Sequence, residues 1–177
     1  MVKVALWLRP MTEDDLAAVD DWLRLPHVAR WWTPNTTAAA EVAIYRRRIS
    51  RASRSRTIML TVQDDDHLIG WCQWYCWADY PAEAAAMGAC DGEVGIDYAI
   101  GDPAWIDRGV GTRLIALLVA DVRRQHPGAG FLVGPDATNI ASRRVLEKNG
   151  FELVAVQTVV TEPTDAPVAI YRLSQRA

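Results

Sequence analysis

The sequence predicts an α/β domain with a mixed β-sheet, and three observations support this fold class. The chain has 177 residues, of which 50% are hydrophobic and 23% are charged, and this composition is typical of a globular protein with one core. Segments with strand-like alternation occur among segments with helical spacing. Three strand candidates follow one another in the middle of the chain, so the sheet is not a simple strand–helix repeat. We expect one domain over residues 1–177.

The first half of the chain predicts two helices and three strands. Thr12 is a helix N-cap, because Asp14 and Asp15 follow it in the first turn, where the helix dipole favours negative charge. Residues 34–37 begin the second helix, and the acidic turn at 64–66 joins two strands as a hairpin. The predicted elements are a strand at 2–8, a helix that begins at Thr12, a helix at 38–49, and strands at 57–62 and 68–77.

The second half predicts four strands and two helices. The stretch 78–92 is acidic and rich in alanine, so we expect a loop or a short helical excursion there. The sequence His-Pro-Gly at 126–128 ends the first of the two helices, and Gly150 ends the second as a C′ glycine. The predicted elements are a strand at 93–100, a helix at 111–125, a strand at 131–133, a helix at 140–149, and strands at 154–161 and 168–173.

Charge and composition limit the classes of partner. The formal net charge of −3 gives no general attraction to nucleic acid or anionic membranes. No apolar run approaches the ~20 residues that cross a bilayer, and no secretory signal opens the sequence, so we expect a cytoplasmic protein. The segment 57–107 has acidic residues but no Lys or Arg. It is either a solvated acidic surface or a region that attracts a cationic ligand.

Cysteine and histidine positions predict no metal site. Cys72, Cys76 and Cys90 lack the C-x-x-C spacing of zinc and redox sites, and the three histidines are far apart. Unpaired thiols in a reducing compartment are the expected state of the cysteines.

A glycine-rich turn predicts an anion-binding site. A strand candidate is followed by residues 105–112, in which Gly109 and Gly111 open a helix. Glycines let the backbone approach an anion closely, and the first N–H groups of the helix point toward it. A Walker A loop would need Lys-Ser/Thr after Gly111, and a dinucleotide fingerprint would need a glycine in place of Leu114. A diphosphate cradle and a plain strand-to-helix turn remain as interpretations.

This turn resembles motif A of the GNAT superfamily of acetyl-coenzyme A-dependent N-acetyltransferases, whose signature is Gln/Arg-x-x-Gly-x-Gly/Ala. Gly109 and Gly111 fill the glycine positions, and Ile106 stands where Gln or Arg is usual. The segment 139–152 resembles motif B, in which an asparagine precedes Glu-Lys-x-Gly-Phe. The resemblance implies a GNAT fold: a central, mixed, mostly antiparallel sheet of six to seven strands, flanked by about four helices, with a splay between the two central parallel strands.

The same resemblance implies that acetyl-coenzyme A is the cosubstrate and that no metal takes part. The backbone of the glycine turn would hold the coenzyme diphosphate, and backbone groups of the preceding strand would bind the pantetheine arm and the acetyl carbonyl. Asn139 would also bind pantetheine. Arg143 or Arg144 would approach the phosphates, unless both lie on a solvated helix face. The residues assigned to the coenzyme are Val94, Ile96, Arg108, Gly109, Val110, Gly111, Thr112, Asn139 and Arg143.

Within the superfamily, the chain most resembles the aminoglycoside 6′-N-acetyltransferases. The resemblance rests on the tryptophan pair at 31–32, on segments 70–75 and 95–97, and on the acidic residue shortly before Val168. A sugar with several ammonium groups suits an acidic cleft lined by tryptophan. Strand alternation separates Gln73 from Cys72, and we expect the Gln73 face to meet the substrate. The residues assigned to the substrate are Trp31, Trp32, Gln73, Asp79, Asp97 and Asp165.

Asp97 is the predicted catalytic base. A primary amine is mostly protonated at neutral pH, and a carboxylate in a partly desolvated cleft can take its proton, directly or through one water. The alternative is a surface carboxylate at the splay. Leu146 stands where many family members carry the tyrosine that protonates the departing thiolate, and Gly134 stands where related enzymes carry an aspartate, with Asp136 close behind. A thiol pKa of ~8.5 lets the thiolate leave without much help.

The leading hypothesis is therefore acetylation of the 6′-amine of aminoglycoside antibiotics by direct attack of the amine on the thioester. Such a reaction would confer antibiotic resistance. A first alternative keeps the fold and changes the acceptor to a siderophore lysine or hydroxylysine, a polyamine or a protein N-terminus. A second alternative is a non-catalytic acyl-coenzyme A sensor, which Leu146 favours. The expected partner is a small cationic amine, without nucleic acid or membrane, and the protein is expected to be a monomer or homodimer.

Overall fold

The computed structural model describes residues 5–53, 56–159 and 167–174, which form one seven-stranded mixed sheet. The strand order across the sheet is β1-β2-β3-β4-β5-β7-β6. All neighbours are antiparallel except β4 and β5, which are parallel. The strands are β1 Leu6–Pro10, β2 Ile58–Asp64, β3 His67–Cys76, β4 Glu93–Ile100, β5 Gly130–Val133, β6 Glu152–Gln157 and β7 Val168–Leu173.

The parallel pair splays apart in the middle of the sheet, as predicted. β4 pairs with β5 only at Glu93 and Val94, whereas it pairs with β3 as far as Ile100. The amide of Gly101 donates to the carbonyl of Ile69 at 2.9 Å, which sets the antiparallel alternation between β3 and β4. That alternation turns the backbone N–H and C=O of Ile96, like those of every second residue, toward the opened β5 edge.

Six α-helices surround the sheet in the described part of the chain, where about four were expected. The two additional helices have seven residues each, and both begin with a proline at the first turn, where its fixed φ is favourable. Segments this short give no reliable helical periodicity. The helices are α1 Leu16–Leu23, α2 Pro26–Trp32, α3 Ala38–Ile49, α4 Pro81–Met87, α5 Val110–Gln125 and α6 Ile140–Lys148.

The Thr12 cap is present and is held by a partly buried ion pair. The amide of Thr12 donates to the Asp15 carboxylate at 2.7 Å, and the short 3₁₀ turn Glu13–Asp15 leads into α1. Both guanidinium nitrogens of Arg9 donate to the same carboxylate, at 2.7 and 2.6 Å. β1 and the start of the first helical region are thereby fixed to each other.

Different helices cover the two faces of the sheet, and this arrangement determines what each β4 side chain meets. Ile96 packs in the larger core, where α5 and α6 cover the sheet. Ala99 packs in the core formed with α1, α2 and α3. Asp97 shares the face of Ala99, because the two residues are separated by one full strand period. No helix in the described part of the chain has the length and apolar character needed to cross a membrane.

The remaining boundaries differ from the expectations at element ends. β1 extends to Pro10, and residues 2–4 of the predicted first strand lie outside the described residues. β6 ends at Gln157, because its pairing with β7 stops opposite Val168. The part of that predicted strand beyond residue 159 is likewise outside the described residues.

Candidate active site

The N-terminus of α5 presents unoccupied backbone donors. Gly109 is the N-cap and has a φ of 73°, in the left-handed region that glycine adopts without strain. No side chain caps this helix, and its first turn contains no acidic residue. The N–H groups of Val110, Gly111 and Thr112 have no acceptor within the helix, and the helix dipole adds positive potential there. This turn is therefore suited to an anion.

A groove of about 510 Å³ opens at this helix end, and we call it the helix-terminus groove. Its size falls in the usual range for small-molecule sites. Arg144 and Lys148 project into it from α6, four residues apart on one helix face. Two cations and an uncapped helix terminus thus face the same volume. Ile106, Asp107 and the turn Gly109–Thr112 form the opposite side.

Two arginines predicted to contact the coenzyme do not line this groove. The Nε of Arg143 donates to the Tyr171 hydroxyl at 3.0 Å, and its Nη1 donates to the Ala137 carbonyl at 2.9 Å. Arg108 lies over the Trp105 ring, 5.9 Å from the ring centroid. On α6, the neighbouring Arg144 is the arginine that reaches the groove.

A second volume of about 490 Å³ adjoins the first, and we call it the acidic pocket. Three carboxylates line it from three different parts of the chain: Glu41 on α3, Asp97 on β4 and Asp136 after β5. Trp31 and Trp32 line both volumes. The structure therefore brings the predicted tryptophan pair and the predicted base into one pocket.

Asp97 is held by two linked side-chain hydrogen bonds. The Gln73 amide nitrogen donates to Asp97 Oδ2 at 2.7 Å, and Arg48 Nη1 donates to the Gln73 oxygen at 2.8 Å. Burial raises the pKa of Asp97 above its usual value, and the Gln73 hydrogen bond and the Arg48 charge offset only part of that effect. A carboxylate with a raised pKa is a better proton acceptor than an exposed one.

Glu41 is also in a perturbed environment. Burial raises the pKa of its carboxyl, the charge of Arg48 lowers it in part, and the negative charge of Asp97 raises it further. A cation that arrives between the two carboxylates would relieve the repulsion by which Asp97 raises the pKa of Glu41.

The wall between the two volumes is formed by β4 and the start of α6. Tyr98, Asn139 and Ser142 line both volumes. The Tyr98 and Ser142 hydroxyl oxygens are 2.6 Å apart, and the Asn139 side chain accepts from the Ser142 amide at 3.1 Å. Asn139 therefore caps α6 and faces the two volumes at once.

The other predicted site residues are distributed differently. Val94 lies at the last parallel register, opposite Phe131, so the open edge begins after it and includes Ile96. Gln73 lies behind Asp97 as a buried partner. Asp79 is exposed, accepts a hydrogen bond from the Arg56 amide at 3.1 Å and lines neither volume. Asp165 lies outside the described residues.

Several residues at the site were not singled out from the sequence. No role is predicted from the sequence for Arg48, although this arginine is three residues after the buried Tyr45 and therefore near the same helix face. Glu41 lies four residues before Tyr45 and shares that face as well. Lys148 was part of the motif B resemblance and follows Arg144 by four residues. Helical spacing was the available signal in all three cases.

Leu146 is fully buried among the α5 and α6 core residues. No tyrosine hydroxyl is therefore supplied from that position. Among the described residues, no group of three or more His, Cys, Asp or Glu side chains is arranged to hold a metal ion.

A sheet that splays beside an uncapped helix N-terminus is the architecture of an acyl-coenzyme A-dependent transferase. The chain belongs to the GNAT acetyltransferase family, because the family profile described as "Acetyltransferase (GNAT) domain" matches residues 11–159. This match confirms the resemblance seen in the two motifs.

Similarity to individual proteins agrees with the family assignment. The aminoglycoside N(6′)-acetyltransferases type 1 of Klebsiella pneumoniae and Serratia marcescens are each 28% identical over 180 residues, which covers 96% of this chain and 82% of theirs. The crystal structure of the aminoglycoside acetyltransferase AAC(6′)-Ib with coenzyme A is 26% identical, with a TM-score of 0.75, and the match covers 96% of this chain and 95% of that one. The structure of the same enzyme with coenzyme A and kanamycin gives a TM-score of 0.74.

Proposed function

We propose that this protein transfers the acetyl group of acetyl-coenzyme A to the 6′-amine of aminoglycosides. The observation that carries the proposal is the position of Asp97, a carboxylate with a raised pKa in a pocket that adjoins the helix-terminus groove. The similar enzymes named above are aminoglycoside 6′-acetyltransferases, and one of them is solved with kanamycin.

The helix-terminus groove fits a coenzyme with a diphosphate. The turn Gly109–Thr112 offers backbone donors without side chains in the way, and an added Cβ on Gly109 would meet no atom within 4 Å. We propose that this turn binds the diphosphate and that Arg144 and Lys148 neutralise phosphate charge. The backbone of Ile96 faces the open edge, where an extended arm could pair with it as a strand would. The bound coenzyme supplies the acetyl group as a thioester.

Asp97 acts as the base in this proposal. It accepts a proton from the ammonium group of the acceptor and leaves a neutral amine as nucleophile. Gln73 holds the carboxylate in place during this step, because its amide donates to one oxygen and leaves the other for the acceptor. The raised pKa predicts that the rate falls as the pH drops through the pKa of Asp97, since the protonated carboxyl cannot take the proton.

The acidic pocket accounts for the choice of a polycationic sugar. Glu41 and Asp136 stand with Asp97 around the pocket, so additional ammonium groups would meet carboxylates. Trp31 and Trp32 line the same pocket, where Arg30 lies 4.3 Å from the Trp31 ring centroid, and we propose that the remaining aromatic surface contacts the ligand. Gly134 stands where related enzymes carry an aspartate, and Asp136, two residues later, supplies a carboxylate to the pocket instead. Asp79 is outside this pocket, and the proposal does not use it.

The departing thiolate needs no acid from α6. A coenzyme thiol has a pKa near ~8.5, so its conjugate base is a tolerable leaving group at neutral pH. We further propose a cytoplasmic setting, because Cys72, Cys76 and Cys90 are all free thiols. An antibiotic-resistance role follows from drug acetylation and would be measured as a raised inhibitory concentration of kanamycin in a host that expresses the protein.

The proposal is tested by thiol release from acetyl-coenzyme A with kanamycin, a 6′-hydroxyl analogue, spermidine, lysine and a short peptide. We expect turnover of kanamycin but not of the 6′-hydroxyl analogue. Asp97→Asn should lower kcat by about 10²- to 10⁴-fold and leave the Kd of coenzyme A unchanged. Asp66→Asn, which changes an exposed carboxylate in the β2–β3 turn, is the matched control.

Other results would change the conclusion in defined ways. Turnover of spermidine, lysine or the peptide alone would keep the reaction and replace the acceptor. Coenzyme A binding without turnover of any amine would indicate a sensor.

A further inference from the structure

Arg48 is a cation placed to act on the base through another residue. It lies near the end of α3, while Gln73 and Asp97 stand opposite each other on β3 and β4. Arg48 Nη1 donates to Gln73 Oε1 at 2.8 Å, and Gln73 Nε2 donates to Asp97 Oδ2 at 2.7 Å. Arg48 does not line the acidic pocket, so its contact with the base runs through the amide.

A primary amide beside a carboxylate has two orientations with opposite consequences. With the nitrogen toward the carboxylate it donates a hydrogen bond and favours the ionised acid, whereas with the oxygen toward it the amide can only accept from the protonated acid. A guanidinium is donor-only and is always charged. It can bond only to the amide oxygen, and so it fixes the nitrogen on the side of the carboxylate.

We propose that Arg48 is a positioning residue, which holds the Gln73 amide so that its nitrogen faces Asp97 and the base stays ionised and oriented for the acceptor. This inference rests on the proposed function, because it concerns the base of that reaction. It extends the proposal, since it assigns the pH range of activity to a residue outside the pocket.

The charges around Asp97 show why the arginine matters. Arg48, Glu41 and Tyr45 face Asp97 from α3, Gln73 faces it from β3, and Tyr98 follows it on β4. Arg48 is the one cation in this set, and Glu41 is a second carboxylate; Arg30 of α2 and Asp136 after β5 also line the acidic pocket. Without Arg48, the amide is free to rotate and the charge of Glu41 is no longer balanced. Both effects favour the protonated form of Asp97.

Arg48→Met is the principal test, with Arg47→Met as the matched control. Arg47 is the exposed neighbour of Arg48 on α3, and its replacement removes the same charge from the same helix end without touching Gln73. We expect the acidic limb of kcat/KM for Arg48→Met to move up by about one pH unit. The variant should then be about tenfold slower on the acidic side and approach the wild-type rate at high pH. The Kd of coenzyme A should not change.

Arg48→Lys distinguishes charge from shape. A lysine that reaches the amide oxygen restores the acidic limb, and we expect recovery of at least half of the shift. A uniform loss of rate at all pH values, with the acidic limb of kcat/KM at its wild-type position, would show that Arg48 is only structural and would overturn the proposal. An unchanged profile in Arg48→Met would overturn it as well.

A second readout is independent of turnover. The pKa of Asp97 can be followed by NMR titration of its ¹³C-labelled carboxyl, assigned with Asp97→Asn, in the wild type, Arg48→Met and Arg47→Met. We expect a higher pKa in Arg48→Met alone. If no amine is acetylated, the proposed function fails, yet this titration still decides the role of Arg48. An equal pKa in all three proteins would refute it.

Discussion

The two glycines of the α5 turn make different demands, and substitution by alanine separates them. Gly109 has a φ of 73° and no neighbour within 4 Å of an added Cβ. Gly109→Ala therefore causes no clash, and its cost is the left-handed backbone alone, about 1–2 kcal/mol. For a chain of this length we expect Tm to fall by about 2–4 °C for each kcal/mol.

Gly111 is inside α5 with helical backbone, so Gly111→Ala gains helix propensity of about 1 kcal/mol. Its new Cβ would lie 3.2 Å from Cγ2 of Val145, and a small shift of that side chain relieves the contact. We expect stability within about 0.5 kcal/mol of the wild type, because the gain and the contact nearly cancel. The methyl group also enters the helix-terminus groove, so coenzyme A should bind more weakly.

Urea denaturation and calorimetric titration with coenzyme A measure the two effects separately. Gly109→Ala should lose stability, and Gly109→Asn should lose less, because asparagine tolerates the left-handed region. Gly111→Ala should lose affinity without losing stability. A Gly109→Ala protein as stable as the wild type would refute the reasoning about the turn. A Gly111→Ala protein with unchanged affinity would refute the assignment of the coenzyme to this groove.

Three further predictions concern other parts of the molecule. Burial alone would raise the pKa of Asp15, but the hydrogen bonds from Arg9 and the cap outweigh it and lower the pKa. Asp15→Asn should therefore lower the free energy of unfolding by about 2 kcal/mol at neutral pH. Urea denaturation at decreasing pH should show this difference vanish as the pH falls through the lowered pKa. Trp77→Phe removes a buried hydrogen bond of 3.0 Å to the Leu132 carbonyl, and the measured free energy of unfolding should fall by about 2 kcal/mol. Lys148→Met should weaken coenzyme A binding in calorimetry, and by less at high salt, because a screened cation contributes less.

The turn that opens the helix-terminus groove is easier to predict from the sequence than the set of residues that lines the acidic pocket. The features of the turn at Gly109 are local: the glycine, the start of the helix and a first turn without acidic residues all belong to one stretch of chain. The face of β4 on which Asp97 lies is nearly as easy to predict, because strand alternation places Asp97 opposite Gln73 once the hairpin and its neighbouring strand are aligned. These predictions need only short-range geometry.

Residues on helices were harder to place, because a rotation of one residue changes the partner. Arg143 and Arg144 are about 100° apart around α6, so only the packing of the helix decides which one reaches the groove. The buried Leu146 defines the inward face, and Arg144 rather than Arg143 lines the groove. Arg48 posed the same problem on α3, and its partner Gln73 is 25 residues away in the sequence. Helical spacing places Arg48 near the buried face of α3, but its contact with Gln73 depends on tertiary packing.

The position of the splay places one short strand, β4, beside both the helix-terminus groove and the acidic pocket. Pairing with β5 ends after Val94, so every second later residue of β4, beginning with Ile96, turns its backbone N–H and C=O toward the opening. Strand alternation points the Ile96 side chain into the core and its backbone N–H and C=O toward the open edge. The Asp97 side chain, one residue further, points into the acidic pocket. If β5 continued to pair with β4, the edge would be filled and the base would be cut off from the helix-terminus groove. The end of the parallel pairing is thus what brings the amine side and the coenzyme side of the proposed reaction to the same peptide unit.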